Sequence, residues 1–350
     1  MSEESKVPGD AAPEPVHRRR VRYNGKNPRR FEDKYKELDP LRHADTIAKV
    51  IASGKTPAGM HRPIMVDEIL AILKPQPGEI AVDCTLGYGG HSREILALLQ
   101  PGGRLLGLDA DPLELPKTEA RLRTAGYGTE AFTAHRSNYA GLSKILSGAG
   151  IPGVDCILAD LGVSSMQLDQ PDRGFSTKHQ GPLDMRMNPL SGQSAADLLA
   201  RLSPDEFRVL LRDNADEPAA ELLGQALAGR RFDTTGSLAA AVRLALPQKA
   251  EAAELTLRRV FQALRIAVNN EFSSLEMLLR SLPAALNSGG RVAILTFHSG
   301  EDRRVKKAFE AGQRDGHYSA ISSEIITASF KEKHDNPRSS CAKLRWAVKA

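Results

Sequence analysis

Two hydrophobic periods alternate along most of the chain. Val66–Leu73 carries apolar residues at helical spacing and is closed by Lys74-Pro75-Gln76-Pro77-Gly78, a helix stop. The apolar run Glu79–Cys84 predicts a strand, followed by Gly87-Tyr88-Gly89-Gly90 and a helix through Gln100. After Gly102-Gly103 comes a second strand, Arg104–Leu108, ending in Asp109. A helix over Leu113–Thr124, a strand near Glu130–Ala134, a helix near Leu142–Leu146 and a strand over Val154–Ala159 follow. Strands and helices alternating at this spacing predict βαβ units around a parallel sheet.

From Gln170 to about Ala253 the pattern changes. Loops rich in Gly, Pro and Asp give way to helical stretches at Ala195–Leu202, Pro204–Leu211, Glu217–Ala228 and Gly236–Leu246, with no convincing strand. The α/β pattern then resumes with one long helix, Leu257–Leu286, buried along Leu257, Phe261, Leu264, Val268 and Leu275, then a strand over Arg291–Phe297 and a terminal strand over Ala342–Val348. The expected architecture is an α/β domain in two parts, 59–170 and 256–350, interrupted by an all-helical insertion, 171–255. It is preceded by an extension, 1–58, in which Pro, Gly and charge predict disorder apart from a short helix at Pro40–Ile51.

Composition adjusts this picture modestly. A chain of 350 residues can hold one sizeable core plus an insertion. No stretch approaches the roughly 20 apolar residues of a membrane span, and Glu3, Glu4, Asp10 and Glu14 do not suit a secretory or transit leader. Cys84, Cys156 and Cys341 are far apart and fit neither a disulfide framework nor a zinc pattern, so a reducing cytoplasm and buried filler roles are expected. The net charge is +5, yet His17–Lys36 holds nine Lys/Arg against Glu32 and Asp33. That arm sums to +7 and leaves −2 for the rest. Such an arm suits a polyanion such as RNA and equally suits a solubilising tail.

Candidate chemistry begins at Asp83-Cys84-Thr85-Leu86-Gly87-Tyr88-Gly89-Gly90-His91. Glycines let the backbone turn tightly and approach a ligand, and the next helix offers free N–H groups beside it. Asp109 ends the following strand, where an acid can accept from ribose hydroxyls. A dinucleotide fingerprint needs a third glycine where Ser92 stands, and Asp83 suits a cofactor with a charged amino-acid end and no pyrophosphate. Together these favour S-adenosylmethionine; for His91 and Ser92 simple helix-start chemistry stays open. Asp160 ends the Val154–Ala159 strand and should face the same pocket, or it is a turn acid capping a helix.

These motifs resemble the RsmH (MraW) family of ribosomal RNA cytosine-N4 methyltransferases, over about His61–Trp346. The resemblance rests on Asp83–Ser92, Asp160–Asp169, Arg173-Gly174-Phe175-Ser176, Gly181–Met187, Phe261–Ile266 with Asn269, Phe297-His298-Ser299 with Glu301-Asp302-Arg303, and Asn336-Pro337-Arg338 with Lys343-Leu344-Arg345. It implies a Rossmann-like, class I S-adenosylmethionine-dependent methyltransferase fold with an inserted helical domain. It also implies cofactor contacts at Gly89, Gly90, His91, Asp109, Tyr139, Asp160 and Gln167, and a target cytosine in the decoding centre of small-subunit (16S) rRNA. The sequence departs from the family pattern in five places. Gly300 stands where leucine is usual, and Leu255-Thr256-Leu257-Arg258 replaces His-Pro-Ala-Thr. Ser339-Ser340-Cys341 replaces Ala-Arg-Ser, Ala110 replaces an arginine, and Asn214-Ala215-Asp216-Glu217 replaces a Tyr-Gly-Glu-Glu pattern.

The N4 lone pair of cytosine is delocalised into its ring, so catalysis needs an acceptor for an N4 hydrogen; Asp160 is the candidate. Reaching a stacked base requires splaying it out. That makes the insertion and the Arg173–Met187 loop, with Arg173, Asp184 and Arg186, candidate rRNA grips beside Arg265, His298 and Arg303. No metal is expected, because the ligand geometry around His298 is unconvincing. Arg258, Gln262, Arg265 and Asn269 share one helix face, which seats either the insertion or RNA. A different class, a non-catalytic ribosome-assembly factor, stays open, as does the oligomeric state, a homodimer included.

Overall fold

The protein's computed structural model describes residues 63–246 and 250–350; the expected disorder of 1–58 and helix at Pro40–Ile51 lie outside them. The first half follows the predicted alternation. Helix α1 (Val66–Leu73) leads into strand β1 (Ile80–Asp83), α2 (Gly90–Leu99), β2 (Arg104–Asp109), α3 (Leu115–Thr124), β3 (Phe132–Arg136), α4 (Leu142–Gly148) and β4 (Val154–Asp160). The short helix α5 (Ser165–Asp169) follows, then a helical block: α6 (Ala195–Arg201), α7 (Pro204–Ala215), α8 (Ala220–Leu227), α9 (Thr235–Ala245) and α10 (Ala250–Asn269). Helix α11 (Glu271–Ala285) runs into β5 (Leu286–Thr296), α12 (Ser299–Arg314), β6 (Tyr318–Ile321), β7 (Ile326–Thr327), α13 (Phe330–Asp335) and β8 (Lys343–Lys349).

The strand order is β3-β2-β1-β4-β5-β8-β6, with β7 also on β8. Strands β1 to β5 are parallel, and β8 runs antiparallel to β5, β6 and β7. The order reverses between β1 and β4, and ligands bind in open α/β sheets outside the carboxyl ends of strands at such a reversal. Asp83 ends β1 and Asp160 ends β4, so the two acids flank the switch point. The parallel strands read as near-continuous apolar runs because both faces are covered. One face packs Leu106, Ile157 and Ile294 against α4, α11 and α12, and the other packs Leu105, Leu158 and Leu295 against α1 and α2.

Two sequence expectations change. The single long helix is two helices, α10 and α11, broken at Asn270, which adopts a left-handed conformation (φ 50°). The apolar period continues through the break, so the pattern hides it; Asn is among the few residues that enter this conformation at modest cost. Cys341 is exposed, whereas Cys84 and Cys156 are buried as expected. The helical block has its own core, from Phe175, Leu183 and Met185 through Phe207 and Leu223 to Val260 and Leu264. Much of α10 therefore packs with the insertion, and the core on that side does not stop at residue 255. The ranges of α12, α13, β6 and β7 were not read from the sequence, although α12 carries a helical period with Val305 and Phe309 on its buried side.

Candidate active site

The loop after β1 is built around Asp83, which is almost fully buried. Its Oδ2 accepts from Ser92 Oγ at 2.6 Å, and its Oδ1 accepts from the Thr85 backbone N–H at 3.0 Å. Thr85 Oγ1 in turn accepts from the Asp160 backbone N–H at 2.7 Å, so the ends of β1 and β4 are tied side by side. Gly87 and Gly89 adopt positive φ (49° and 82°) and deliver the chain into α2. A Cβ on Gly90 would collide with Pro63, which lies over the loop. Asp83 thus acts first as the loop's internal anchor, and Ser92 is its partner rather than a surface cap.

Asp109 closes the neighbouring loop. Its Oδ2 accepts from Gly87 N–H at 2.8 Å and its Oδ1 from Asp111 N–H at 2.8 Å. Burial pushes its carboxyl up to about 6, against the pull of those two N–H groups. Burial likewise raises Asp160 to about 6, opposed by His91 and reinforced by the charges of Asp83 and Glu301. His91 sits between elements, with Nε2 2.9 Å from the Ile64 carbonyl and Nδ1 3.6 Å from Asp160 Oδ2. It is a positioned side chain, not only a helix-start residue. Asp160 keeps 28% of its side chain exposed.

Tyr139 follows β3 and donates from its hydroxyl to the Glu271 carbonyl at 3.2 Å; burial, then Glu271 and Glu301, hold its phenol protonated well above the ordinary range. Glu301 is buried at the start of α12, where Phe297 N–H donates to its Oε2 at 2.9 Å and His298 Nε2 lies 3.2 Å from Oε1. Burial works to raise Glu301, but His298 and Arg265 leave it below the usual carboxylate range. Gln167 forms a capping box with Ser164 and donates from Nε2 to Asp111 Oδ2 at 3.0 Å. Glycines 89 and 90, His91, Asp109, Tyr139, Asp160 and Gln167 therefore lie at strand ends, in loops and in helix starts along the carboxyl edge of β1 to β4.

The basic residues expected on RNA are placed differently. Arg173 is buried and pairs with Asp111 at 2.7 Å. Arg186 makes a two-point contact to Asp184, Nε to Oδ1 at 2.8 Å and Nη2 to Oδ2 at 2.6 Å. Arg265 does the same with Glu271, at 2.9 Å for both bonds. Arg303 pairs at 3.1 Å with Asp216, which caps the end of α7, joined there by Ser299 Oγ. His298 caps α12 and stacks obliquely on Phe272. On the α10 face, Gln262 donates to the Asn214 carbonyl and Asn269 holds Met185 and Met187. Two of the four residues on that face thus hold insertion segments, whereas Arg265 turns to Glu271 and Arg258 is exposed. Partners far along the chain decided Arg173 and Arg303, whereas Arg186 and Arg265 find theirs within six residues. Asp111 and Glu271 are the site acids that sequence reasoning did not single out; the Asp109-x-Asp111 spacing is the trace that could have pointed to the first.

Carboxylates at the ends of β1, β2 and β4, with Glu301 beside them, repel a pyrophosphate and attract a cation carrying ribose hydroxyls. Among the described residues no group of three or more His, Cys, Asp or Glu could hold a metal ion, and no helix is long and apolar enough to cross a membrane. Fold and site define a class of nucleoside-cofactor-binding α/β proteins with an inserted helical block. A profile described as the MraW methylase family matches residues 58–350, and the chain belongs to that family. It is 49% identical over 347 residues to "Ribosomal RNA small subunit methyltransferase H 1" of Lachnoclostridium phytofermentans, covering 96% of this chain and 94% of that one. It is 48% identical over 347 residues to "Ribosomal RNA small subunit methyltransferase H 2" of Alkaliphilus metalliredigens, covering 96% and 99%. A relative from Anaeromyxobacter sp., "Ribosomal RNA small subunit methyltransferase H", is 42% identical over 312 residues, covering 83% of this chain and 98% of its own.

Proposed function

We propose that the protein is an S-adenosylmethionine-dependent methyltransferase that acts on N4 of a cytosine in 16S rRNA, with the small ribosomal subunit as its partner and the cytoplasm as its place of work. One observation carries the cofactor: Asp83, Asp109, Asp160 and Glu301 converge where β1 and β4 diverge. Their charge suits a sulfonium with an ammonium-bearing tail. The Gly87–His91 loop, Asp109, Tyr139 and Gln167 would hold the cofactor, and Asp109 is placed for ribose hydroxyls. When bound, S-adenosylmethionine supplies the methyl group on a positively charged sulfur.

This chain's own residues supply the rest. Asp160 accepts a hydrogen bond from the N4 amino group and draws its lone pair out of the ring. As N4 gains the methyl group it gives up one proton, and the Asp160 carboxylate takes it. His91 and the Thr85 hydroxyl fix Asp160 from either side. Holding acceptor and reacting groups in register contributes several kcal/mol. Because Arg173, Arg186, Arg265 and Arg303 already have acidic partners, their role toward rRNA is to shape the loops that meet it. The relatives' names support the small-subunit rRNA target. The test is transfer of tritiated methyl groups to small subunits from a strain lacking the enzyme. Label mapping to N4-methylcytosine at one position is expected; tight subunit binding without incorporation would overturn the reading in favour of an assembly factor.

A further inference from the structure

A buried charge cluster links the cofactor loops to the Arg173–Met187 segment. Asp111, Gln167 and Arg173 are all at least nine-tenths buried, and they come from three separate segments. Asp111 belongs to the loop after β2, where its N–H donates to Asp109 Oδ1 at 2.8 Å. Gln167 belongs to α5, after Asp160. Arg173 opens the segment that runs to Met187. One oxygen, Asp111 Oδ2, accepts from both Gln167 Nε2 at 3.0 Å and Arg173 Nη1 at 2.7 Å. The other terminal nitrogen of Arg173 donates to the carbonyls of Arg186 and Met187 at 3.0 and 2.9 Å.

The segment held this way is strained. Met185 is fully buried and adopts a left-handed backbone, φ 62°, which is costly for a residue with an unbranched apolar side chain. It is gripped from both sides. Its N–H donates to the Arg173 carbonyl at 3.1 Å, and its own carbonyl accepts from Asn269 Nδ2 at 2.8 Å. Asn269 Oδ1 also accepts from Met187 N–H at 2.7 Å. Strained backbone persists where surrounding contacts over-determine it, and such sites cluster at ligand clamps.

We propose that Arg173 is a positioning residue that couples the cofactor loops to the Gly181–Met187 loop, so that filling the cofactor site rigidifies the surface that meets rRNA. The coupling runs Asp109, Asp111, Arg173, Met185–Met187, through hydrogen bonds at every step. A planar guanidinium can serve Asp111 and two carbonyls at once; an ammonium cannot span them in one geometry. The proposal rests on the cofactor and rRNA reading above, and its test separates the two.

Hydrogen exchange by mass spectrometry is measured on the wild type, Arg173→Lys and Asp111→Asn, with and without S-adenosylhomocysteine. In the wild type the ligand is expected to slow exchange about tenfold or more both at 83–92 and 105–111 and at 181–187. In either variant protection persists at the first two segments and falls below about twofold at 181–187, with the exchange of β4 and β5 unchanged. The KM for small subunits rises about tenfold, within the usual range of coupling between sites, while the Kd for S-adenosylhomocysteine changes about twofold or less. Equal protection of 181–187 in wild type and both variants overturns the proposal, as does no ligand effect there in the wild type. Failure of the wild type to bind S-adenosylhomocysteine at all overturns the cofactor reading and the proposal with it. Wild-type coupling without any transfer to small subunits overturns only the rRNA reading.

Discussion

Asp160→Asn removes the charge at the centre of the site while keeping the side chain's shape, and the structure sets the size of the consequence. An ordinary aspartate titrates near 3.8 and Asp160 near about 6. At about 1.4 kcal/mol per pH unit, ionising Asp160 costs the fold about 3 kcal/mol at neutral pH. With 28% of the side chain exposed, solvent screening reduces this to about 1–2 kcal/mol. The sign follows from linkage: the folded state holds this proton more tightly than the unfolded chain. Stability from this group is therefore greatest below about 4 and is lost as pH rises through about 6. Asp160→Asn should then be more stable than the wild type at pH 7.5, by about 2–3 °C in melting temperature for a chain of this size. The gap should shrink below about pH 4. His91, Asp83 and Glu301 face Asp160, and Asp109 titrates in the same window, but all four are common to both proteins and largely cancel in the difference. Methyl transfer should fall about a hundredfold or more, the usual range for losing a positioned proton acceptor, and wild-type kcat should fall as pH drops below about 6. Scanning calorimetry across pH, run beside the tritium assay, reads both. A variant that is less stable at pH 7.5, or that turns over normally, would refute the reasoning.

Further outcomes follow from packing and pairing. Gly90→Ala forces a Cβ into Pro63; overpacking of this kind costs about 1–3 kcal/mol. Titration calorimetry should show S-adenosylhomocysteine binding weakened about tenfold or more. Gly300→Leu restores the residue usual in the family, yet here a Cβ at 300 would stand 2.7 Å from Phe272 Cζ and 3.2 Å from His298 Nδ1. It should lose about 1–3 kcal/mol in urea unfolding, and unchanged stability would show that Phe272 yields freely. Arg345→Met breaks a buried pair with Asp302, Nε to Oδ1 at 2.6 Å; Lys343 Nζ stays 3.6 Å from Asp302 Oδ2, so the cost should be about 1–3 kcal/mol, below that of a fully orphaned charge. Arg303→Ala removes a pair whose side chains are each 51% exposed and should cost less than about 1 kcal/mol in the same assay.

The α/β alternation, the glycine loop and the carboxylates at strand ends were legible along the chain because they depend on neighbours a few residues away. A strand buried on both faces must be apolar throughout, a tight turn needs Gly87 and Gly89, and an acid closing a strand sits where ligands bind. Helices of the insertion were equally plain, since each carries its own period and α6, α7 and α9 a Ser or Thr cap. The break at Asn270 was not, because the apolar stripe continues across it from Val268 to Leu275 and only the backbone at one residue changes. Nor was the fate of the arginines. Arg173, Arg186, Arg265 and Arg303 look like phosphate ligands in a sequence that resembles an RNA enzyme. Whether a guanidinium faces solvent or a buried carboxylate depends on residues 2 to 87 positions away, and for Arg173 and Arg303 on a different element brought alongside. Local chemistry thus established that a cationic nucleoside cofactor could be held after β1. Folding decided which charges remain free to meet a substrate and which are consumed in holding the site together, because burying a charge is tolerated only where the tertiary structure delivers its partner.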